Sequence, residues 1–105
     1  MDTKLTYDSL SLQEKKYMEA LSKIYASQHK NVPEGLILAK VLPGFRDTPL
    51  KRKKVFKSLE KKGLIFNYGA RTDVWALSSE GLHLSIYIRE NIIKKLDGIK
   101  ILKHG

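Results

Sequence analysis

The sequence predicts an α+β domain, mostly α: a three-helix core, a two-stranded hairpin and an additional C-terminal helix. Three observations predict it. Apolar residues recur at helical spacing in three stretches of residues 11–62. Two β-branched and aromatic runs, 64–68 and 73–77, flank the glycine-containing tetrapeptide Gly69-Ala70-Arg71-Thr72. From residue 79 the helical spacing returns. A chain of 105 residues, 42% of them hydrophobic, fits one domain with a small core. The expected layout is a single domain over 1–105, with its core in 11–77, a helix over 79–96 and a tail over 97–105.

The first helix is expected over about 12–28. Ser11-Leu12-Gln13-Glu14 fits a capping box, in which the serine caps free amides and the glutamate reaches back. Tyr17, Met18, Leu21, Ile24 and Tyr25 form its apolar stripe. The second helix, about 34–42, starts at Asn31-Val32-Pro33-Glu34 and stops at Pro43-Gly44. The third follows Asp47-Thr48-Pro49 and runs to Lys62, where Gly63 supplies a left-handed cap. On a helical wheel with Leu59 at 0°, Val55 and Phe56 fall within about 60° of it, whereas Lys53, Lys54, Lys57 and Lys61 fall between about 120° and 220°. That helix is apolar on one face and cationic on the other. Arg52 falls on the inner side of the wheel and Leu50 on the cationic side.

The hairpin follows, and Trp75, mid-strand between Val74 and Ala76, is expected to pack in the core against the first or last helix. Ser78 caps the final helix, and Asp97-Gly98 ends it. Leu82, Ile86, Ile93 and Leu96 supply its expected core face. Leu84, Tyr87 and Ile88, with Ile92 at the margin, are left on a second side, where they are expected to form a homodimer interface. The alternative is that Leu5, Tyr7 and Leu10 fold back over that side.

Charge is concentrated. The chain carries 20 Lys and Arg against 11 Asp and Glu, net +9, and residues 44–72 alone hold nine cations against two carboxylates, net +7. A polyanionic partner is expected. A lysine-rich helix can also be merely a solvated face; the elements around this one weigh against that. The chain has no cysteine, which excludes a disulfide framework and a thiolate zinc site and fits a reducing, cytoplasmic location. No apolar run approaches the ~20 residues of a membrane span, and residues 1–12 lack the apolar segment of a secretion signal, so an unprocessed chain is expected. His29, His83 and His104 are scattered, with no metal-pair spacing, phosphate loop or nucleophile–base pair. The expectation is a non-enzyme without metal or cofactor.

Val55-Phe56-Lys57-Ser58-Leu59-Glu60-Lys61-Lys62-Gly63-Leu64-Ile65 resembles the end of the recognition helix and start of the wing in the winged helix-turn-helix superfamily. Val74-Trp75-Ala76-Leu77-Ser78-Ser79-Glu80-Gly81 resembles its wing exit. The resemblance spans residues 11–96, about four-fifths of the chain. It is specific for the fold and weak for any one family within it. The arrangement is similar to small one-domain repressors of the multiple-antibiotic-resistance type and to compact regulators of archaea and their viruses and plasmids. A nucleoid-associated place, or for a virus the host cytoplasm, is what that resemblance implies.

It also implies a dimeric transcriptional regulator with the third helix in the major groove of duplex DNA. The expected contacts there are Arg46, Thr48, Lys51, Arg52, Lys53, Lys54, Lys57 and Lys61. Arg71 is expected in a minor groove, with Tyr68 and Thr72 on phosphate. Lysines hold phosphates better than they read bases, so backbone affinity should exceed sequence discrimination. The alternative is a winged-helix module of a ribosomal or replication-associated assembly, binding RNA or protein; a non-specific chromatin protein is a third reading.

Overall fold

The computed structural model describes residues 2–25, 31–41, 44, 47–69 and 71–94. These residues form an α+β fold, mostly helical, with one small antiparallel sheet. The order is α1 (Thr3–Ser9), α2 (Leu12–Tyr25), β1 (Val32–Pro33), α3 (Glu34–Lys40), α4 (Pro49–Lys61), β2 (Ile65–Asn67), β3 (Val74–Leu77) and α5 (Ser79–Ile88), which continues into a π-helical turn, Arg89–Ile93. The expected end of the last helix and the tail lie outside the described residues, as does Arg46.

The capping box at the start of α2 forms in both directions. The Ser11 amide donates to Glu14 Oε1 at 2.9 Å, and the Glu14 amide donates to Ser11 Oγ at 3.2 Å. All five residues of the expected stripe, Tyr17, Met18, Leu21, Ile24 and Tyr25, are buried. The Tyr25 hydroxyl accepts the Leu77 amide at 2.8 Å, tying the end of α2 to β3.

Two elements are absent from the sequence expectations. One is β1, only two residues long, which pairs Val32 with Trp75 and Pro33 with Val74 and makes the sheet three-stranded in the order β1-β3-β2. Proline is tolerated there because β1 is an edge strand, and Pro33 also occupies the N-cap of α3. The other is α1, capped by Asp2, whose carboxylate accepts the Lys4 and Leu5 amides.

The orientation of α5 is the reverse of the expected one, and α1 packs on the side expected to be free. Leu84 and Ile88, expected at a dimer interface, are buried within the protomer, and Tyr87 is half-buried with its ring 5.8 Å from that of Tyr7 on α1. Ile92 is likewise half-buried against the core. Leu82 and Ile86, expected in the core, are 42% and 43% exposed, and Ile93 is half-buried. The physical reason is close approach. Gly81 packs so tightly on Leu64 that a Cβ there would overlap the Leu64 carbonyl oxygen, and Ser85 is fully buried beside it. Small residues bring that side of α5 against the core, and α1 packs along α5, with Leu10 at its C-cap itself buried.

Candidate nucleic-acid interface

Helix α4 starts at Pro49 after the N-cap Thr48, whose hydroxyl makes no capping hydrogen bond. Its last turn closes as expected: Gly63 adopts φ +76°, and its amide donates to the Glu60 carbonyl at 2.9 Å. Phe56 and Leu59 are completely buried. Phe56 meets the Tyr17 ring edge-on at 5.2 Å on one side and the Trp75 ring face-on at 5.4 Å on the other. Trp75 is therefore a core residue, as expected, but its ring partner is Phe56 on α4. Its indole Nε1–H donates to Glu34 Oε1 at 2.8 Å, which reaches α3.

Helix α2 holds both ends of α4. Ahead of the helix, the Asp47 carboxylate accepts from Tyr17 Oη at 3.2 Å and Gln13 Nε2 at 3.2 Å. At its last turn, Glu14 accepts from Ser58 Oγ at 2.9 Å and Lys62 Nζ at 2.8 Å. Burial alone raises the Glu14 carboxyl, but hydrogen bonds from Lys62, Ser11 and Ser58 outweigh it and hold the carboxyl below its ordinary value. Burial, reinforced by the Asp47 carboxylate, pushes the Tyr17 hydroxyl up to about 12. Burial also raises Tyr25 against the opposing hydrogen bond from the Leu77 amide.

With its inner face fixed, α4 presents Lys51, Lys53, Lys54, Lys57 and Lys61 to solvent. Lys57 reaches Glu60 at 3.2 Å, while Lys51, Lys53, Lys54 and Lys61 form no ion pair with another described residue. Leu50 stands among them, 78% exposed. Arg52 is placed differently. It is largely buried, its Nε enclosed without a hydrogen-bond partner, and its charge acts on the Tyr17 hydroxyl. The wheel position of Arg52 carried that signal.

In the hairpin, Gly69 turns at φ +63°, and the Tyr68 amide donates to the Val74 carbonyl at 2.9 Å. Tyr68, Arg71 and Thr72 are all exposed. Arg71 pairs with Asp73 at 3.5 Å, a surface contact. Phe66 was missed at the sequence level. It projects from the outer face of β2, 45% exposed, two residues from Tyr68 and so on the same side of the strand. Strict alternation with buried Ile65 was the available signal.

Among the described residues, no group of three His, Cys, Asp or Glu side chains is placed to hold a metal ion, and no helix is long and apolar enough to cross a membrane. The chain matches no family model, and neither a curated protein nor a solved structure is similar to it at a significant level.

Proposed function

We propose that the chain is a winged helix-turn-helix protein that binds double-stranded DNA, with α4 in the major groove and the β2–β3 hairpin as a wing on the minor groove or backbone. One observation carries the reading: five exposed lysines on the outer face of a helix whose inner face is locked by Phe56 and Leu59. The order α2, β1, α3, α4, β2, β3, with β3 central in the sheet, supports the winged-helix arrangement.

The physics is that of counterion release. Lysines docked on phosphates displace condensed cations, and each contact adds about −0.9 to the slope of log K against log salt. A helix about 10–12 Å across fits a major groove about 12 Å wide. Leu50, an exposed apolar group in the first turn, suits a thymine methyl. The lysine-dominated face, with Arg52 turned inward, favours affinity over base reading.

The test is a salt titration of duplex binding. Replacing Lys54 and Lys57 by glutamine together should flatten the slope by nearly two. An unchanged slope and affinity in the folded variant overturns the reading.

A transcriptional regulator acting as a homodimer on paired half-sites would associate through the outer stripe of α5, Leu82 and Ile86. A monomeric winged-helix module of a ribosomal or replication-associated assembly is the second reading, favoured by one observation: α1 covers the face of α5 expected to self-associate. Sedimentation at micromolar concentration separates them. A dimer supports the regulator and a monomer supports the module.

A further inference from the structure

Between α4, the start of α3 and the hairpin lies a cleft of about 290 Å³. Helix α4 contributes Lys53, Lys57 and Phe56, the hairpin contributes Thr72, Asp73 and Trp75, and α3 contributes Glu34. Lys53 and Lys57 are four residues apart and so lie side by side on the helix surface, close enough for both ammonium groups to reach one anion. Two carboxylates line the same cleft. Glu34 is held through Oε1 by the Trp75 indole, and its Oε2 makes no hydrogen bond with a described residue. Asp73 pairs with the exposed Arg71. Phe56 and Trp75, both buried, form its apolar floor.

Lys53 and Lys57 offset Glu34 and Asp73, and the outer pairs of Lys57 with Glu60 and of Asp73 with Arg71 add one charge of each sign, so the cleft is neutral overall and a simple anion satisfies only half of it. The complementary ligand carries an anion at one end and N–H donors at the other, with a flat apolar body between them. At this volume, near the lower limit of about 300 Å³ for ligand pockets, it is one small unit and not a chain.

We propose that the cleft binds a nucleoside monophosphate whose base carries an exocyclic amine. Its phosphate accepts from Lys53, Lys57 and the Thr72 hydroxyl, and its amine donates to the Glu34 and Asp73 carboxylates. No bond is made or broken. Because Lys53 and Lys57 also belong to the cationic face of α4, a bound nucleotide competes with duplex DNA; that consequence alone rests on the DNA-binding reading.

Trp75 is the one tryptophan of the chain and lines the cleft, so intrinsic fluorescence, excited beyond the nucleotide absorption band, reports occupancy. The full chain is titrated without DNA, with cytidine monophosphate, uridine monophosphate and inorganic phosphate. Uridine monophosphate has the same size and places a carbonyl where cytidine has its amine. A saturable change with cytidine monophosphate is expected, with affinity at least about tenfold weaker for the other two. Lys53→Gln combined with Lys57→Gln should abolish the response while leaving the melting temperature unchanged. Three results overturn the proposal: no saturable change with cytidine monophosphate, equal affinity for uridine monophosphate, or an undiminished response in the double variant. Displacement of a labelled duplex by cytidine monophosphate then tests the competition. A nucleotide response in a chain that binds no duplex supports the cleft and removes the DNA reading; duplex binding without a nucleotide response does the reverse.

Discussion

Phe56 and Trp75 lie ring on ring, their centroids 5.4 Å apart and their planes 9° from parallel. One ring belongs to the lysine helix and the other to the central strand, so the pair fixes the cationic face and the hairpin relative to each other. Tyr17 packs edge-on against Phe56, and Glu34 accepts from the Trp75 indole N–H at the ring edge. Phe56→Ala should cost about 3–5 kcal/mol of stability in equilibrium denaturation, through lost burial and the cavity left behind. A loss under about 1 kcal/mol would show that the stack contributes little.

Glu14 gives the protein an acid-sensitive joint. Its folded carboxyl lies below the ordinary 4.5, so the unfolded chain takes up the proton first as pH falls. Its contribution is complete above the unfolded value and disappears as pH drops through the lower folded one. Glu14→Gln should flatten the fall of melting temperature with pH below about 4.5. An identical acid limb in the variant would place that sensitivity elsewhere.

Arg71 and Asp73 are both largely exposed, so their pairing contributes at most about 1 kcal/mol to the fold. Arg71→Ala should leave the melting temperature nearly unchanged and weaken duplex binding. Asp73→Asn should do the opposite to affinity, since it frees the guanidinium and removes a negative charge from the hairpin tip. Mobility-shift titrations of both variants decide it; weaker binding by Asp73→Asn would contradict the assigned role of the tip.

The orientation of α5 can be tested with two truncations of similar size. Leu84→Ala, in the core beneath α1, should cost about 2–5 kcal/mol. Ile86→Ala, on the exposed stripe, should stay within about 1 kcal/mol of the parent in the same denaturant series. The reverse order would mean that α5 packs by its other face.

Much of α4 and the hairpin was legible in the sequence because their signals are local. Ser11 and Glu14 cap each other, Gly63 takes a positive φ, and Ser78 caps α5 by accepting the Gly81 amide at 3.0 Å, all as the spacing predicts. The wheel placed Lys53, Lys54, Lys57 and Lys61 outside and Arg52 inside, where they lie. The orientation of α5 was not legible. Large apolar side chains lie on two sides of it, and the choice is made by Gly81 and Ser85, whose smallness, not hydrophobicity, brings that side against the core. Helix α1 was invisible for a related reason: Leu5 is 66% exposed, leaving Tyr7 and Leu10 as too few apolar positions to reveal a period. Strand β1 is only two residues long, and its pairing depends on Trp75, more than forty positions along the chain.

Glu14 also joins two regions that would otherwise fray separately. The same carboxylate accepts the Ser11 amide at the first turn of α2 and the Ser58 and Lys62 side chains at the last turn of α4. Helix termini ordinarily open with little free-energy cost, each on its own. Here, opening the start of α2 strands a buried carboxylate and releases Lys62, so the two ends share one opening event. In hydrogen exchange, the first amides of α2 and the last amides of α4 should therefore be protected to the same degree, and lose that protection together.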